Sequence, residues 1–101
     1  MQIARVIGTV VSTQKEPSLR GSKLLMLQFI DAKGELLPGY EVAADSVGAG
    51  VDEWVLVSRG SAARQIYVDR QQPPLDALVV GIIDTVSVES GRLYSKSEQR
   101  R

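Results

Sequence analysis

The chain has 101 residues, with 12 Lys plus Arg against 12 Asp plus Glu and so no formal net charge. It contains no His, no Cys and no Asn, so alone it supplies no Cys/His zinc site, thiolate nucleophile, disulfide, haem ligand, Ser-His-Asp triad or N-glycosylation sequon. Neutrality and an isoelectric point near 6.2 argue against a generic nucleic-acid binder, because neutralising phosphates takes a basic surplus.

Residues 3–11, IARVIGTVV, are rich in β-branched side chains and predict a strand. Gly8 interrupts it and signals a bulge or a close backbone approach. Residues 12–22 are polar, carry Pro17 and Gly21, and predict a long exposed loop. Residues 23–31, KLLMLQFID, predict a second strand, with Leu25, Leu27 and Phe29 on one face and Leu24, Met26, Gln28 and Ile30 on the other. Asp31, Ala32, Lys33 and Gly34 form a turn, Gly34 being its expected positive-φ residue. Pro38-Gly39 marks another turn. Residues 40–45, YEVAAD, predict a short strand, 46–50 a flexible loop and 53–58, EWVLVS, a fourth strand. Ser61 is placed to cap a short helical turn over 61–65. Residues 69–77, with Pro73 and Pro74, connect along the surface. Residues 78–88, LVVGIIDTVSV, predict one last long strand with Gly81 inside it. The charged tail, 96–101, is expected to fray.

These elements make one domain, residues 1–95, of the all-β class: a small five-stranded β-barrel with one short helix, an open sandwich being the alternative. Glycines inside two long strands permit the sharp bends that barrel closure needs. Val79, Val80, Ile82 and Ile83 are apolar on both faces of the last strand, whereas a wall with water outside should alternate. One wall face is therefore covered, by the chain's own helix and loops or by another subunit. A domain of about 100 residues buries roughly 60–70% of its unfolded surface, and with no disulfide or metal available, oligomerisation is the remaining common support for a modest core. No apolar run approaches the roughly 18 residues that span a bilayer. The N-terminus lacks the basic segment of a signal peptide, and the absence of cysteine fits the cytoplasm.

The motifs that suggest chemistry fail on inspection. Gly48-Ala49-Gly50 is a lone GxG followed by a strand, not a dinucleotide fingerprint. Gly21-Ser22-Lys23 lacks the earlier glycine of a phosphate loop, position 16 being Glu. Gly60, Ser61 and Arg64 suit an anion site at a helix start, but a helix cap beside a surface arginine accounts for them better. Ser61 lacks the second glycine of a nucleophile elbow. Asp31, Asp45, Asp69, Asp76 and Asp84 are read as solvated turns and strand ends. Of the five aromatics, Phe29 and Trp54 are assigned to the core. Tyr40, Tyr67 and Tyr94 are too few for a stacking platform.

Several stretches, taken in order, resemble the pentameric vertex proteins of bacterial microcompartment shells, and most nearly the carboxysome branch of that family. They are the opening residues 3–15, the segment 21–25, the central run 44–57 (ADSVGAGVDEWVLV), the Gly60-Ser61-Ala62-Ala63-Arg64 segment and residues 74–84. Their order and spacing match that family over residues 1 to about 88. Two positions depart from the family pattern. Asp52 stands where Gly is frequent, and Asp tolerates positive φ better than most non-glycine residues. Ala62 stands where a second Ser is frequent.

The resemblance implies an oligonucleotide-binding-like barrel that assembles as a homopentamer and caps the five-fold vertices of an icosahedral carboxysome shell in the cytoplasm, around carbon-fixing enzymes. It implies hexameric shell facet proteins and inner-shell assembly proteins as partners, no nucleic acid, no membrane, no cofactor and no catalysis. Glycine density and the family motif together place Val47, Gly48, Ala49 and Gly50 near the five-fold axis, and Gly60, Ser61 and Arg64 at a contact between subunits. The competing function is a small binding module for single-stranded nucleic acid or an anionic ligand.

Overall fold

Alternating apolar and polar residues drive this chain into strands, and its glycines mark where the longest of them bend. A computed structural model of the protein describes residues 1–12, 23–60 and 76–99. Its strands are β1 (Gln2–Val10), β2 (Lys23–Phe29), β3 (Glu41–Asp45), β4 (Trp54–Arg59), β5 (Ala77–Ile82), β6 (Thr85–Val88) and β7 (Gly91–Ser95). One helical turn follows, α1 (Lys96–Gln99), at the start of the expected tail. The first five strands close a barrel in the order β1-β2-β3-β5-β4, and β6 pairs with β7 as a separate two-stranded sheet. Every barrel pairing is antiparallel except β3 with β5, which is parallel. The five-stranded closed barrel is the architecture the sequence predicts. The helix expected over 61–65 lies outside the described residues.

Both internal glycines sit beside bulges. In β1 the pairing with β2 slips between Val6 and Gly8, leaving Ile7 as the extra residue. In β5 the pairing with β4 slips so that Leu56 opposes Gly81 and Val57 opposes Val79, leaving Val80 extra. A bulge bends its strand and increases local twist, which a small barrel needs to close. A Cβ added at Gly8 would lie 3.9 Å from Met26 Cβ, and one at Gly81 would lie 3.7 Å from Leu56 Cβ. Both are ordinary contacts, so the bend rather than lack of room accounts for these glycines.

Strand alternation then sorts the side chains. Ala4, Val6, Leu25, Leu27, Val55 and Val57 are fully buried inside the barrel, with Phe29 and Ile82 packed against them. Each buried Val or Leu stabilises the fold by about 1.5–3 kcal/mol relative to exposure. A second cluster lies on the opposite face of the wall, where Ala44 and Leu78 are buried against Leu24 and Val80. The doubly apolar character of β5 is thus explained in part within one chain: Val79 faces in, while Leu78 and Val80 join the outer cluster. In the turn after β2, Gly34 has φ +86° as expected. The N–H groups of Glu35 and Lys33 donate to Asp31 Oδ1 at 3.0 and 2.8 Å, and these bonds, Glu35's first, hold the Asp31 carboxyl below its ordinary pKa.

The last long strand is where the structure corrects the sequence reading. The predicted strand 78–88 breaks at Ile83 and Asp84 into β5 and β6. Ile83 N–H still donates to Trp54 O at 2.9 Å, while Asp84 O accepts from Lys96 N–H at 2.8 Å. Aspartate is depleted inside strands, and here it turns the chain away from the barrel. The unpredicted β7 then brings back Tyr94, which is only 3% exposed and is a core residue rather than a surface tyrosine. Its ring stacks on Trp54 with centroids 4.4 Å apart and planes 12° from parallel. Trp54 is the one tryptophan in the chain, so its fluorescence reports this contact. Tyr94→Leu is expected to red-shift that emission and to cost about 1–2 kcal/mol in chemical denaturation; unchanged emission would mean that the stack does not order the hairpin.

Candidate functional site

The loop joining β3 to β4 is built around one carboxylate. Asp45 ends β3 with its side chain fully buried. Its Oδ1 accepts from the N–H groups of Val47 and Gly48 at 3.0 and 3.2 Å, and its Oδ2 accepts from Ala49 N–H at 2.9 Å. Lys23, at the start of β2, places Nζ 3.6 Å from Asp45 Oδ2 and donates to Ala49 O at 2.9 Å. Ser46 Oγ donates to Val79 O at 2.7 Å. The loop therefore wraps its own backbone around an anion, as Asx turns do over a shorter span. The flexible loop expected from its glycines is a hydrogen-bonded one. Asp45 is a buried organiser, not the solvated strand end the sequence reading made of it.

The four residues assigned to the axis behave differently within this loop. Val47 is 40% exposed, while Ala49 is fully buried in the barrel cluster. Gly48 has φ +80°, and a Cβ there would meet nothing of its own chain within 4 Å. Backbone conformation, not crowding inside the subunit, demands glycine at this position. Gly50 N–H donates to Glu53 Oε1 at 2.6 Å. Asp52 adopts φ 74°, so the position where the family pattern has glycine is indeed left-handed, and aspartate occupies it while pairing with Arg5 at 2.7 Å. The loop's far end is sewn to the β1 bulge: Asp52 N–H donates to Val6 O at 2.8 Å and Val6 N–H donates to Glu53 O at 3.0 Å.

Gly60, assigned to a subunit contact, has φ +69° and donates its N–H to Asp76 O at 2.8 Å. Ser61 and Arg64, assigned with it, lie outside the described residues. Next to Gly60, Arg59 does something that sequence reasoning missed. From the end of β4 its guanidinium donates to Gln2 Oε1 on β1 and to Glu41 Oε1 on β3, both at 2.9 Å. It also stacks over the Phe29 ring of β2 at 4.8 Å. One side chain thereby ties together the ends of four barrel strands. A lone Arg after an apolar strand gives no such signal; only the closed topology does.

Among the described residues, the exposed large apolar side chains include two unlike groups, besides Met1, Val11, Val47 and Val88. Ile7, at the β1 bulge, and Val51, 53% exposed, are carried by segments joined through the Val6–Asp52 hydrogen bond. Leu36, Leu37 and Tyr40 form the other group, in the connection from β2 to β3, with Tyr40 68% exposed. Among the described residues no cluster of three or more His, Cys, Asp or Glu is arranged to hold a metal ion, and no helix is long and apolar enough to cross a membrane. Trp54 and Tyr94 present ring faces to each other, and Phe29 takes a guanidinium, so Tyr40 is the exposed ring among the described aromatics.

Comparison with known proteins assigns this architecture. Residues 1–84 match the family described as ethanolamine utilisation protein EutN/carboxysome. The chain is 67% identical over 102 aligned residues, covering all of both chains, to the carboxysome shell vertex protein CcmL of Nostoc sp.. Its fold superposes on the structure of Gloeobacter violaceus CcmL with a TM-score of 0.87 at 66% identity, over 96% of this chain and 99% of that one. It also superposes on the GrpN pentameric microcompartment shell protein from Rhodospirillum rubrum, with a TM-score of 0.77 at 46% identity, over 87% of this chain and all of the other.

Proposed function

This chain belongs to the EutN/carboxysome family, and on that premise we propose that it is a carboxysome shell vertex subunit: five copies form a ring that caps a five-fold corner of the shell. The observation that carries the reading is full-length similarity to carboxysome shell vertex proteins, on a barrel that leaves two unlike apolar groups uncovered. A five-fold ring uses heterologous contacts, in which one patch meets a different patch on the next subunit and the rotation closes. The Ile7/Val51 group and the Leu36/Leu37/Tyr40 group supply two such patches. Burying them completes the burial that an 11.0 kDa chain achieves poorly alone.

The role is structural, within the cytoplasmic carboxysome, and the subunit carries out no reaction of its own. Val47, Gly48, Ala49 and Gly50 approach the five-fold axis, where the exposed Val47 and the side-chain-free Gly48 let five copies of the loop converge. Gly60, with Ser61 and Arg64, faces a neighbouring subunit. Hexameric facet proteins meet the outer edge of the ring, and inner-shell assembly proteins are further partners.

Native mass spectrometry at micromolar concentration tests the ring. A species of about five times the 11.0 kDa protomer is expected. A chain that stays monomeric, or stops at dimers, overturns the capping role. The competing reading, a barrel that binds single-stranded nucleic acid, predicts a complex with an oligonucleotide that weakens steeply with salt. A neutral chain with one exposed ring among the described aromatics favours the cap.

A further inference from the structure

Glu53 stands between the C-terminal element and the β3–β4 loop. Its Oε1 accepts the Gly50 N–H at 2.6 Å, and its Oε2 lies 2.9 Å from Lys96 Nζ, at the start of α1. This pair is less exposed than the one between Arg5 and Asp52: the side chains of Lys96 and Glu53 are 26% and 18% exposed, against 41% and 70% for Arg5 and Asp52. Exposed pairs contribute little because water and salt screen them; a half-buried pair that also accepts a backbone N–H is held more firmly. Lys96 is itself fixed, since its N–H donates to Asp84 O at 2.8 Å and β7 ahead of it is stacked on Trp54 through Tyr94. The two-stranded sheet of β6 and β7 would be marginal alone. It begins after residue 84, where the family match ends.

We propose that Lys96 and Glu53 are positioning residues for the β3–β4 loop: the C-terminal element braces Gly50 through a carboxylate shared between an ammonium group and a backbone N–H. The brace lies within one subunit. Its consequence for assembly rests on the reading that residues 47–50 approach the axis, in which case five braces fix the shape of the central opening from outside it. Asp45 holds the near half of the loop, at Val47, Gly48 and Ala49, and Glu53 holds the far half, at Gly50. Loss of the brace therefore loosens the loop at Gly50, while the Glu53 N–H to Gly50 O bond at 3.2 Å and the Val6 ties beyond it keep the barrel intact.

The test is backbone amide exchange on the full-length chain, read over the 46–52 segment and over β1 and β2, with native mass recorded in parallel. Lys96→Met is expected to speed exchange in the loop by about tenfold, a local opening rather than global unfolding, with β1 and β2 unchanged. Lys96→Arg should restore protection, because it returns a donor to Glu53. Glu53→Gln keeps an oxygen for Gly50 but removes the ion pair, so Lys96→Met added to it should produce no further change. Unchanged loop exchange in Lys96→Met, or a rise of equal size throughout the barrel, overturns the brace. A wild-type chain that forms no ring overturns the vertex reading instead, and leaves the loop exchange as the measure of the brace.

Discussion

Asp45→Ala is expected to lower the thermal midpoint by on the order of 10 °C or more, the largest loss from any single polar substitution in the described residues. Three backbone N–H groups, those of Val47, Gly48 and Ala49, lose their acceptor at once, and Lys23 loses its anion. Hydrogen bonds to a charged group contribute about 1.5–3 kcal/mol each, but the loop relaxes and water recovers some of them, which leaves a net cost of about 3 kcal/mol. In a domain near 100 residues each kcal/mol moves the midpoint by roughly 4–8 °C. Asp45→Asn should fall between, since one amide oxygen can serve part of the set while the amide nitrogen faces a donor. Midpoints must be compared at equal protomer concentration, because assembly stabilises the folded subunit by mass action. A midpoint for Asp45→Ala within 2 °C of wild type, a cost of no more than roughly 0.5 kcal/mol, would mean that the loop does not depend on its carboxylate.

That loop also shows what sequence reading reaches and where it stops. The barrel was legible because its signals are local. Leu25 and Leu27 alternate with polar or outer residues, and Gly8 and Gly81 stand where strands must bulge to bend. The left-handed turn at Asp52 was legible once the family pattern had put glycine there. Asp45 was not, because five aspartates at strand ends look alike until the fold decides which one is enclosed. Its signal was the small, glycine-rich run that follows it, which lets a backbone curl around an acceptor. Arg59 and the Trp54–Tyr94 stack were illegible for a different reason. Their partners lie 18 to 57 residues away in sequence, and no periodicity encodes a contact across a closed topology. The break at Asp84 had a visible warning, an acidic residue in an apolar run, which the surrounding Ile and Val residues outweighed.

On the reading that residues 47–50 approach the axis, the assembly is expected to be most sensitive at Val47. Val47→Asp is expected to abolish the ring at neutral pH and moderate salt while leaving the subunit folded. On the subunit the side chain is 40% exposed and its backbone N–H, not its side chain, bonds Asp45, so the cost to folding should stay within about 0.5 kcal/mol. In a ring whose loops converge on the axis, five carboxylates would face one another. At about 8 Å and an effective dielectric near 20, each adjacent pair costs about 2 kcal/mol, or roughly 10 kcal/mol around the ring. Val47→Lys should fail equally, which separates axial repulsion from any local conflict with Asp45, whereas Val47→Thr, similar in shape and uncharged, should assemble. Salt near 1 M shortens the screening length to about 3 Å and should restore part of the Asp ring, as should acidification through the carboxylate range. Native mass spectra showing intact pentamers for both charged variants at low salt would move these residues away from the axis.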